Sequence, residues 1–256
     1  MIKIGLIDSG IGGISVLKGM IDSGIHAEYH YIYDNKFHPY GLKTTSELRA
    51  IAYKYMTYFE SINVDIVVFA CNTLTSASIE SMRSMFKTTI VGVEPPIKPS
   101  TKNCKNVLVL ATPFTINGDK LHKLVLEYSN INFYYPDVPS LASMIENYTT
   151  NKERDMIKEY LTHKLSKYSF CDGLVIGCTH YNFISDLIKE VLPNINIYSS
   201  INGVVSRVKS IINEKNYIME DMSFINIICS DKEISAKKHF FISKYLSQGV
   251  LVTTMK

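Results

Sequence analysis

Residues 67–75, Val-Val-Phe-Ala-Cys-Asn-Thr-Leu-Thr, decide the fold that we predict for this chain. An apolar run stops at Cys71, and polar residues followed by a helical pattern begin at once. The pattern predicts a buried strand over residues 64–70 and a helix over residues 75–86. Because backbone amides and the helix dipole favour an anion at such a junction, Cys71 stands where a thiolate is stabilised.

A second stretch repeats this arrangement further along the chain. Residues 171–180 read Cys-Asp-Gly-Leu-Val-Ile-Gly-Cys-Thr-His, and the shift that places Asp65 on Asp172 also places Cys71 on Cys178. We predict a strand at residues 173–177 and a helix at residues 182–191. The repeat suggests two cysteines on equivalent loops of two similar halves, facing one site.

Predicted strands and helices alternate along the rest of the chain as well. This alternation implies right-handed crossovers and parallel sheets. The predicted fold class is therefore α/β. We expect a first domain of residues 1–95 plus 206–256 and a second domain of residues 96–205. In such sheets ligands bind beyond the carboxyl ends of the strands.

The composition narrows the class of protein. Of the 256 residues, 46% are apolar and 20% are charged, which is an ordinary globular balance. A net charge of +3 is too small to indicate nucleic-acid binding. No apolar run is as long as a membrane span, and Asp8 comes too early for a signal peptide. Five cysteines without a C-x-x-C pair predict reduced thiols in a cytoplasmic protein.

The cysteines divide into two groups by their position. Cys71 and Cys178 each follow a strand and precede polar residues, so we predict that they act as acids and bases. A cysteine inside a strand or helix is usually a small core residue. This interpretation applies to Cys104, Cys171 and Cys229.

Two other uses of Cys178 are less consistent with the sequence. Cys178 and His180 supply two possible metal ligands, but no compact four-ligand set accompanies them, so no metal site is predicted. A hydrolytic nucleophile with His180 as its base would leave Cys71 without a role. Two opposed thiols suit the removal of a proton from one face of a carbon and its return to the other face.

The glycine-rich turn of residues 8–13, Asp-Ser-Gly-Ile-Gly-Gly, has three interpretations. As a dinucleotide fingerprint it fails, since Ser15 occupies the third glycine position and Asp8 would stand beside a pyrophosphate. A second interpretation is a tight strand-to-helix turn that needs small residues. We prefer a third interpretation, in which Asp8 and Ser9 meet a cationic amine or orient a catalytic thiol. A nucleotide-binding or oxidoreductase-type protein is the more distant alternative.

These motifs together resemble those of the glutamate racemases, in the cofactor-independent aspartate/glutamate racemase superfamily. The resemblance is carried, in the family's order, by Asp8-Ser9-Gly10-Ile11-Gly12-Gly13, Asp34 with Pro39-Tyr40-Gly41, Ala70-Cys71-Asn72-Thr73, Val91-Gly92-Val93-Glu94-Pro95 and Gly177-Cys178-Thr179-His180-Tyr181. It implies two α/β domains related by a pseudo-two-fold, with the active site in the cleft between them. It also implies interconversion of L- and D-glutamate without a cofactor, supplying D-glutamate for peptidoglycan.

The resemblance leaves some features open. An aspartate or broader-specificity racemase of the same superfamily is the nearer alternative, and a binding protein that keeps the pocket is another. The implied partner is the small-molecule substrate, L- or D-glutamate, and a homodimer is left open.

By the same resemblance, individual residues take roles. Cys71 is expected to deprotonate D-glutamate and Cys178 L-glutamate. Their helpers are expected to be Asp8, Glu146 and His180. The expected substrate contacts are Asp8, Ser9, Tyr40, Gly41, Asn72, Thr73, Thr115, Thr179 and His180. The chain departs from the family where Asn182 replaces a common proline, where Phe114 enlarges a loop and where Ser199-Ser200 replaces an aspartate-containing turn.

Overall fold

The structure, a computed structural model, describes residues 1–148, 150–219 and 221–255. Its strands are β1 Lys3–Asp8, β2 Glu28–Tyr33, β3 Ile66–Phe69, β4 Thr89–Gly92, β5 Asn106–Ala111, β6 Asn132–Tyr134, β7 Gly173–Gly177, β8 Asn196–Tyr198, β9 Phe224–Cys229 and β10 Leu251–Thr254. Its helices are α1 Ile14–Asp22, α2 Thr45–Ser61, α3 Asn72–Met85, α4 Ile97–Thr101, α5 Pro113–Ile116, α6 Asp119–Leu126, α7 Leu141–Glu146, α8 Asn151–Leu165, α9 Ser185–Val191, α10 Ile201–Glu214 and α11 Ala236–Leu246. Short 3₁₀ turns lie at Tyr40–Leu42, Ser166–Tyr168 and Thr179–Ile184.

The first compact unit, Met1–Val93 with the segment from Ile201 onward, contains a six-stranded parallel sheet. Its strand order is β10-β9-β2-β1-β3-β4. All four residues of β3 are buried, as is typical of a parallel strand covered on both faces. Each fully buried valine of β3 contributes ~1.5–3 kcal/mol of stability. The register places Asp8 opposite Tyr33 and Ile7 opposite Phe69, so three strands end at one edge of the sheet.

The second compact unit, Glu94–Ser200, contains a four-stranded parallel sheet in the order β6-β5-β7-β8. Ala111 at the end of β5 pairs with Gly177 at the end of β7. The two turns that follow these strands therefore begin at the same edge of the sheet. The predicted α/β fold with parallel sheets is confirmed, although the second sheet is smaller than the first. Compactness of a unit does not test independent folding, so the predicted domain limits stay a prediction.

Helix boundaries next to the two cysteines differ from the sequence prediction. Helix α3 begins at Asn72 rather than at residue 75, because Cys71 keeps an extended backbone and itself forms the N-cap. After Cys178 the chain forms a 3₁₀ turn, and α9 begins only at Ser185 rather than at residue 182. The Asn182 side chain donates to the Thr179 carbonyl at 3.1 Å, a local bond that competes with α-helical geometry.

Three short helices, α4, α5 and α7, were absent from the prediction, and α5 forms where a loop was expected around Phe114. Helix α4 follows two consecutive prolines and contains a third, which masked it, although proline is tolerated in the first turn of a helix. Helix α7 ends at Glu146 and is only six residues long, too short to show a clear helical period. Among the described residues, no helix has the length and apolar character needed to cross a membrane.

Candidate active site

Cys71 occupies the junction between β3 and α3. Its side chain is buried, and its carbonyl accepts the first helical hydrogen bond, from the Thr75 amide at 2.9 Å. The amides of the first turn of α3 therefore point toward the end of the strand on which Cys71 stands. A thiolate at this position interacts favourably with the helix dipole.

Asp8 and the glycine-rich turn stand beside the Cys71 junction. Asp8 is fully buried, and its Oδ1 atom accepts a hydrogen bond from the Gly10 amide at 2.8 Å. A Cβ atom on Gly13 would lie 2.8 Å from the Ala70 Cβ and 2.9 Å from the Asp8 Cβ. Glycine is therefore required at position 13 because the turn passes directly over the ends of β1 and β3. The close approach explains this part of the motif without a nucleotide.

The loop that carries Tyr40 is attached to the same sheet edge. The backbone carbonyl of Ser9, which is buried, lies 3.0 Å from His38 Nδ1, and the His38–Pro39 peptide bond is cis. The Tyr40 hydroxyl donates to Asp34 Oδ2 at 2.6 Å. Burial raises the pKa of Tyr40 well above its usual value, and the charge of Asp34 raises it further. Tyr40 therefore remains a neutral donor, while Gly41 follows it half-buried in a 3₁₀ turn.

Asn72 and Thr73 begin α3 and are both buried. The Asn72 Nδ2 atom donates to the Val93 carbonyl at 3.5 Å. Its Oδ1 atom is buried and has no hydrogen-bond partner among the described residues. An orphaned amide oxygen carries a desolvation cost of about 1–3 kcal/mol, so this atom is a natural acceptor for a cationic ligand.

In the second unit, His180 lies between Cys178 and Glu146. Its Nδ1 atom is 3.8 Å from Cys178 Sγ, and its Nε2 atom is 2.9 Å from Glu146 Oε2. All three side chains are buried. Because an ionised carboxylate only accepts hydrogen bonds, Nε2 donates to Glu146 and Nδ1 faces the thiol. The structure thus brings together three of the predicted catalytic residues.

Thr115 and Thr179 occupy the turns that follow β5 and β7. Both are buried, and Thr115 Oγ1 lies 3.1 Å from Thr112 Oγ1. A Cβ atom on Gly177 would lie 2.7 Å from the Ala111 Cβ, so the strand end before Cys178 has no room for a side chain. The turns that carry Thr115 and Thr179 therefore both lie at the edge of the second sheet where Cys178 lies.

Two of the departures from the family pattern are in contact with each other. The Ser199 hydroxyl donates to Asn182 Oδ1 at 2.8 Å, while Asn182 Nδ2 donates to the Thr179 carbonyl. A side-chain bridge therefore links the turn after Cys178 to the segment after β8. Hydrogen bonds therefore restrain this turn at the position where the resemblance led us to expect a proline.

The other three cysteines lie apart from these turns. Burial, assisted by the charge of Asp172, raises the pKa of Cys171 to about 11. Burial also raises the pKa of Cys229. Cys104 Sγ lies 3.3 Å from the Tyr198 hydroxyl in the core of the second unit. Thiols with raised pKa values stay protonated at neutral pH and are poor bases.

The Cys178 turn contains two side chains that can ligate a metal, Cys178 and His180. In the described part of the chain, no group of three or more histidine, cysteine, aspartate or glutamate side chains is arranged to hold a metal ion. The two nitrogen atoms of His180 already face Cys178 and Glu146.

Sequence reasoning missed a polar network behind Tyr40. Asp34 is fully buried, and its Oδ1 atom accepts from the Ser230 hydroxyl at 2.5 Å. Ser230 directly follows β9, so the rule that polar residues at strand ends gather at one edge would have found it. His38 was not predicted as a site residue because its contact is with a backbone carbonyl 29 positions away.

Comparison with known proteins identifies the family, although no family model matches the chain. A glutamate racemase from Leptospira borgpetersenii serovar Hardjo-bovis (strain JB197) is 34% identical over 257 residues, covering 96% of both chains. This chain belongs to the glutamate racemase family. Members of the family are amino-acid racemases, and this chain is therefore an isomerase.

Solved structures of glutamate racemases share the fold at lower identity. One from Bacillus anthracis has a TM-score of 0.85 at 22% identity and covers 100% of this chain and 97% of that chain. One from Francisella tularensis subsp. tularensis SCHU S4, in complex with D-glutamate, has a TM-score of 0.81 at 21% identity and covers 100% and 97%. The two-sheet architecture is thus the glutamate racemase fold. The roles of the individual site residues stay predictions.

Proposed function

We propose that this chain interconverts L- and D-glutamate by two-base proton transfer, with Cys71 and Cys178 as the two bases. The observation that carries the proposal is that each unit places one buried cysteine directly after an internal parallel strand, at the start of a helical turn. Glutamate is proposed as the substrate because the relatives are named glutamate racemases. We propose that both thiols reach the α-carbon of one glutamate, from opposite faces.

The proposed step is balanced by the two thiols alone. One thiolate takes the α-hydrogen as a proton, and the C–H electron pair stays on the α-carbon. The opposite thiol gives its proton to the other face, and its S–H electrons return to sulfur. An unperturbed thiol has a pKa of ~8.5, so modest stabilisation of the anion yields a usable base at neutral pH. The buried setting of both cysteines keeps water away from the carbanion-like charge.

Asp8 and Asn72 suit the substrate's ammonium group. The Asp8 carboxylate is fully buried, its Oδ1 atom accepts from the Gly10 amide, and its negative charge suits a cationic group. The orphaned Asn72 Oδ1 supplies a second acceptor on the neighbouring strand end. A buried carboxylate and an ammonium group attract each other strongly because the surrounding dielectric is low.

The two substrate carboxylates are proposed to meet hydroxyls and backbone amides. The four arginines of the chain are engaged elsewhere, by Ala77, Ile90, the pair Asp186 and Glu190, and Glu214. Buried hydroxyl groups are carried after the strand ends by Ser9, Thr73, Thr115 and Thr179. Tyr40 and Gly41 are proposed to close this end of the site, since the Asp34 network holds their loop in place.

The helpers differ between the two thiols. Cys178 has a histidine–carboxylate pair, in which Glu146 orients His180 and His180 exchanges a proton with the thiol. The proposed helper of Cys71 is Asp8, which ends the neighbouring strand β1. We propose that the product D-glutamate supplies peptidoglycan synthesis in the cytoplasm and that no cofactor takes part.

The assay that tests this function follows the optical activity of purified protein with each enantiomer. Solutions that start from L- or D-glutamate should both converge to zero rotation, because the enantiomers are equal in free energy. This should occur without added pyridoxal phosphate. L- and D-aspartate serve as the matched substrates. Racemisation of aspartate but not glutamate, or activity only with pyridoxal phosphate, would contradict the proposal.

A further inference from the structure

Ser230 joins the C-terminal part of the chain to the loop that follows β2. Cys229 at the end of β9 pairs with Tyr33 at the end of β2, and the Ser230 amide donates to the Tyr33 carbonyl at 3.1 Å. Asp34 follows Tyr33, and its amide donates to the Asp8 carbonyl at 3.0 Å. Asp34 therefore lies between the end of β9 and the strand end that carries Asp8.

The hydroxyl of Ser230 acts as a donor and as an acceptor. It donates to Asp34 Oδ1 at 2.5 Å and accepts from the Lys36 amide at 3.0 Å. The other carboxylate oxygen, Asp34 Oδ2, accepts from the Tyr40 hydroxyl at 2.6 Å. Ser230, Asp34 and Tyr40 together form the Asp34 network. All three side chains are buried, and hydrogen bonds to a charged acceptor are strong in such surroundings.

Asn35 makes a second connection between the same two loops. Its Oδ1 atom accepts from the Asp231 amide at 3.1 Å, and its Nδ2 atom donates to the Lys232 carbonyl at 2.5 Å. Asp231 and Lys232 are exposed, so water competes for these bonds, whereas the bond from Ser230 to Asp34 is buried. Of these connections, the buried bond therefore holds the loop most firmly.

The Tyr40 end of the Asp34 network lies against the Cys71 junction. The 3₁₀ turn Tyr40–Leu42 packs against α3, the helix whose N-cap is Cys71. Burial raises the pKa of Tyr40 most, the charge of Asp34 raises it further, and a thiolate at Cys71 adds a smaller rise. Because Tyr40 and Cys71 influence each other, displacement of Tyr40 changes the surroundings of the proposed base.

We propose that Ser230 is a positioning residue for racemisation, which acts through Asp34 to hold Tyr40 against the Cys71 junction. The proposal rests on the function proposed above, because it concerns the rate of that reaction. Ser230 lies 196 positions after Asp34, and the bond between them fastens the loop that carries Tyr40 to the segment after β9. Loss of the hydroxyl frees this loop to move, and a mobile loop spends less time in the geometry that the reaction needs.

Limited digestion with trypsin tests the Asp34 network on the full chain without any turnover. Lys36 is exposed, and the peptide bond that follows it lies in the loop between Asp34 and Tyr40. Ser230→Ala removes both the donor to Asp34 and the acceptor of the Lys36 amide. Cleavage after Lys36 should become about tenfold faster or more, because its rate follows the population of the open loop. Mass spectrometry of the early fragments compares this cleavage with that at the other lysines.

Ser100→Ala is the matched control. The Ser100 hydroxyl is fully buried and donates to the Ile97 carbonyl at 2.7 Å in α4 of the second unit. This variant also loses a buried serine hydroxyl, but cleavage after Lys36 should stay within about twofold of wild type. Tyr40→Phe breaks the network at its other end and should speed the same cleavage, which keeps the test usable if Ser230→Ala does not fold.

A double-mutant cycle connects the Asp34 network to turnover. Ser230→Ala alone should lower kcat/KM about tenfold from both enantiomers. Because Ser230 acts through Tyr40, the double variant with Tyr40→Phe should be no more than about twofold slower than Tyr40→Phe alone. Ser100→Ala should instead change kcat/KM by the same factor in the wild-type and Tyr40→Phe backgrounds. A serine with only a structural role would give losses that multiply.

Two results would overturn the proposal. One is cleavage after Lys36 at the wild-type rate in Ser230→Ala, and the other is a pair of losses in kcat/KM that multiply in the cycle. A wild-type protein that did not racemise glutamate would overturn the proposed function and, with it, the role of Ser230 in the reaction. The two failures are distinguishable, since digestion measures the hold on the loop without an active enzyme.

Discussion

Replacing either Cys71 or Cys178 with serine should stop racemisation in both directions, lowering kcat by ~10³-fold or more. A positioned acid or base contributes about 10²–10⁴-fold, and a serine hydroxyl is too weak an acid to supply a standing anion at neutral pH. A thousandfold loss corresponds to ~4 kcal/mol of transition-state stabilisation. The change in optical rotation from each enantiomer measures it.

A second readout separates the two thiols from each other. Each variant keeps one thiol, which can still attack its own enantiomer. This should appear as elimination from a glutamate analogue that bears a leaving group on the β-carbon. Cys71→Ser is expected to eliminate only from the L-analogue, and Cys178→Ser only from the D-analogue. Such activity also shows that the variant is folded.

The other three cysteines provide the matched controls. Cys171→Ser and Cys229→Ser remove thiols whose pKa is raised by burial, and Cys104→Ser removes a thiol in the core of the second unit. These variants should keep activity when they fold. Near wild-type racemisation by Cys178→Ser would show that one base serves both faces.

Asp8→Asn should lower turnover well over tenfold, more than about 1.4 kcal/mol of transition-state stabilisation. The substitution keeps the shape, and an asparagine Oδ1 still accepts from the Gly10 amide that Asp8 now binds at 2.8 Å. What is lost is a fully buried negative charge beside the Cys71 junction. Steady-state kinetics from both enantiomers measure the effect, and thermal melting checks the fold.

Glu146→Gln is the matched variant on the other unit. It also replaces a buried carboxylate by its neutral amide, but it reaches Cys178 only through His180. We expect a smaller loss than for Asp8→Asn, and because the enantiomers are equal in free energy, kcat/KM should fall equally from L- and D-glutamate. If Asp8→Asn kept the wild-type turnover, the role of Asp8 would be only to hold the glycine-rich turn in place.

The features that depend on local sequence were predictable. Apolar runs with polar ends located β3 and β7, and the rule for strand ends predicted that Asp8, Cys71 and Cys178 lie at sheet edges. The resemblance added the family, which the comparison confirmed.

The features that depend on contacts between distant residues were not predictable. Glu146 approaches His180 across 34 positions, and Ser230 approaches Asp34 across 196, so no periodic pattern records either contact. The 3₁₀ turn after Cys178 depends on the side-chain hydrogen bond from Asn182. The spacing of apolar residues in the sequence does not predict a side-chain hydrogen bond of that kind.

The measurement that tests the two-thiol mechanism most directly is early deuterium incorporation in heavy water. The reaction of wild-type enzyme is started with L-glutamate and stopped at low conversion. The two enantiomers are then separated, and the deuterium content of each is measured by mass spectrometry. If Cys178 removes the proton and Cys71 delivers another from the solvent, deuterium should appear in D-glutamate while the remaining L-glutamate stays protonated. Equal early deuterium in both enantiomers would show that a single base exchanges its proton and serves both faces.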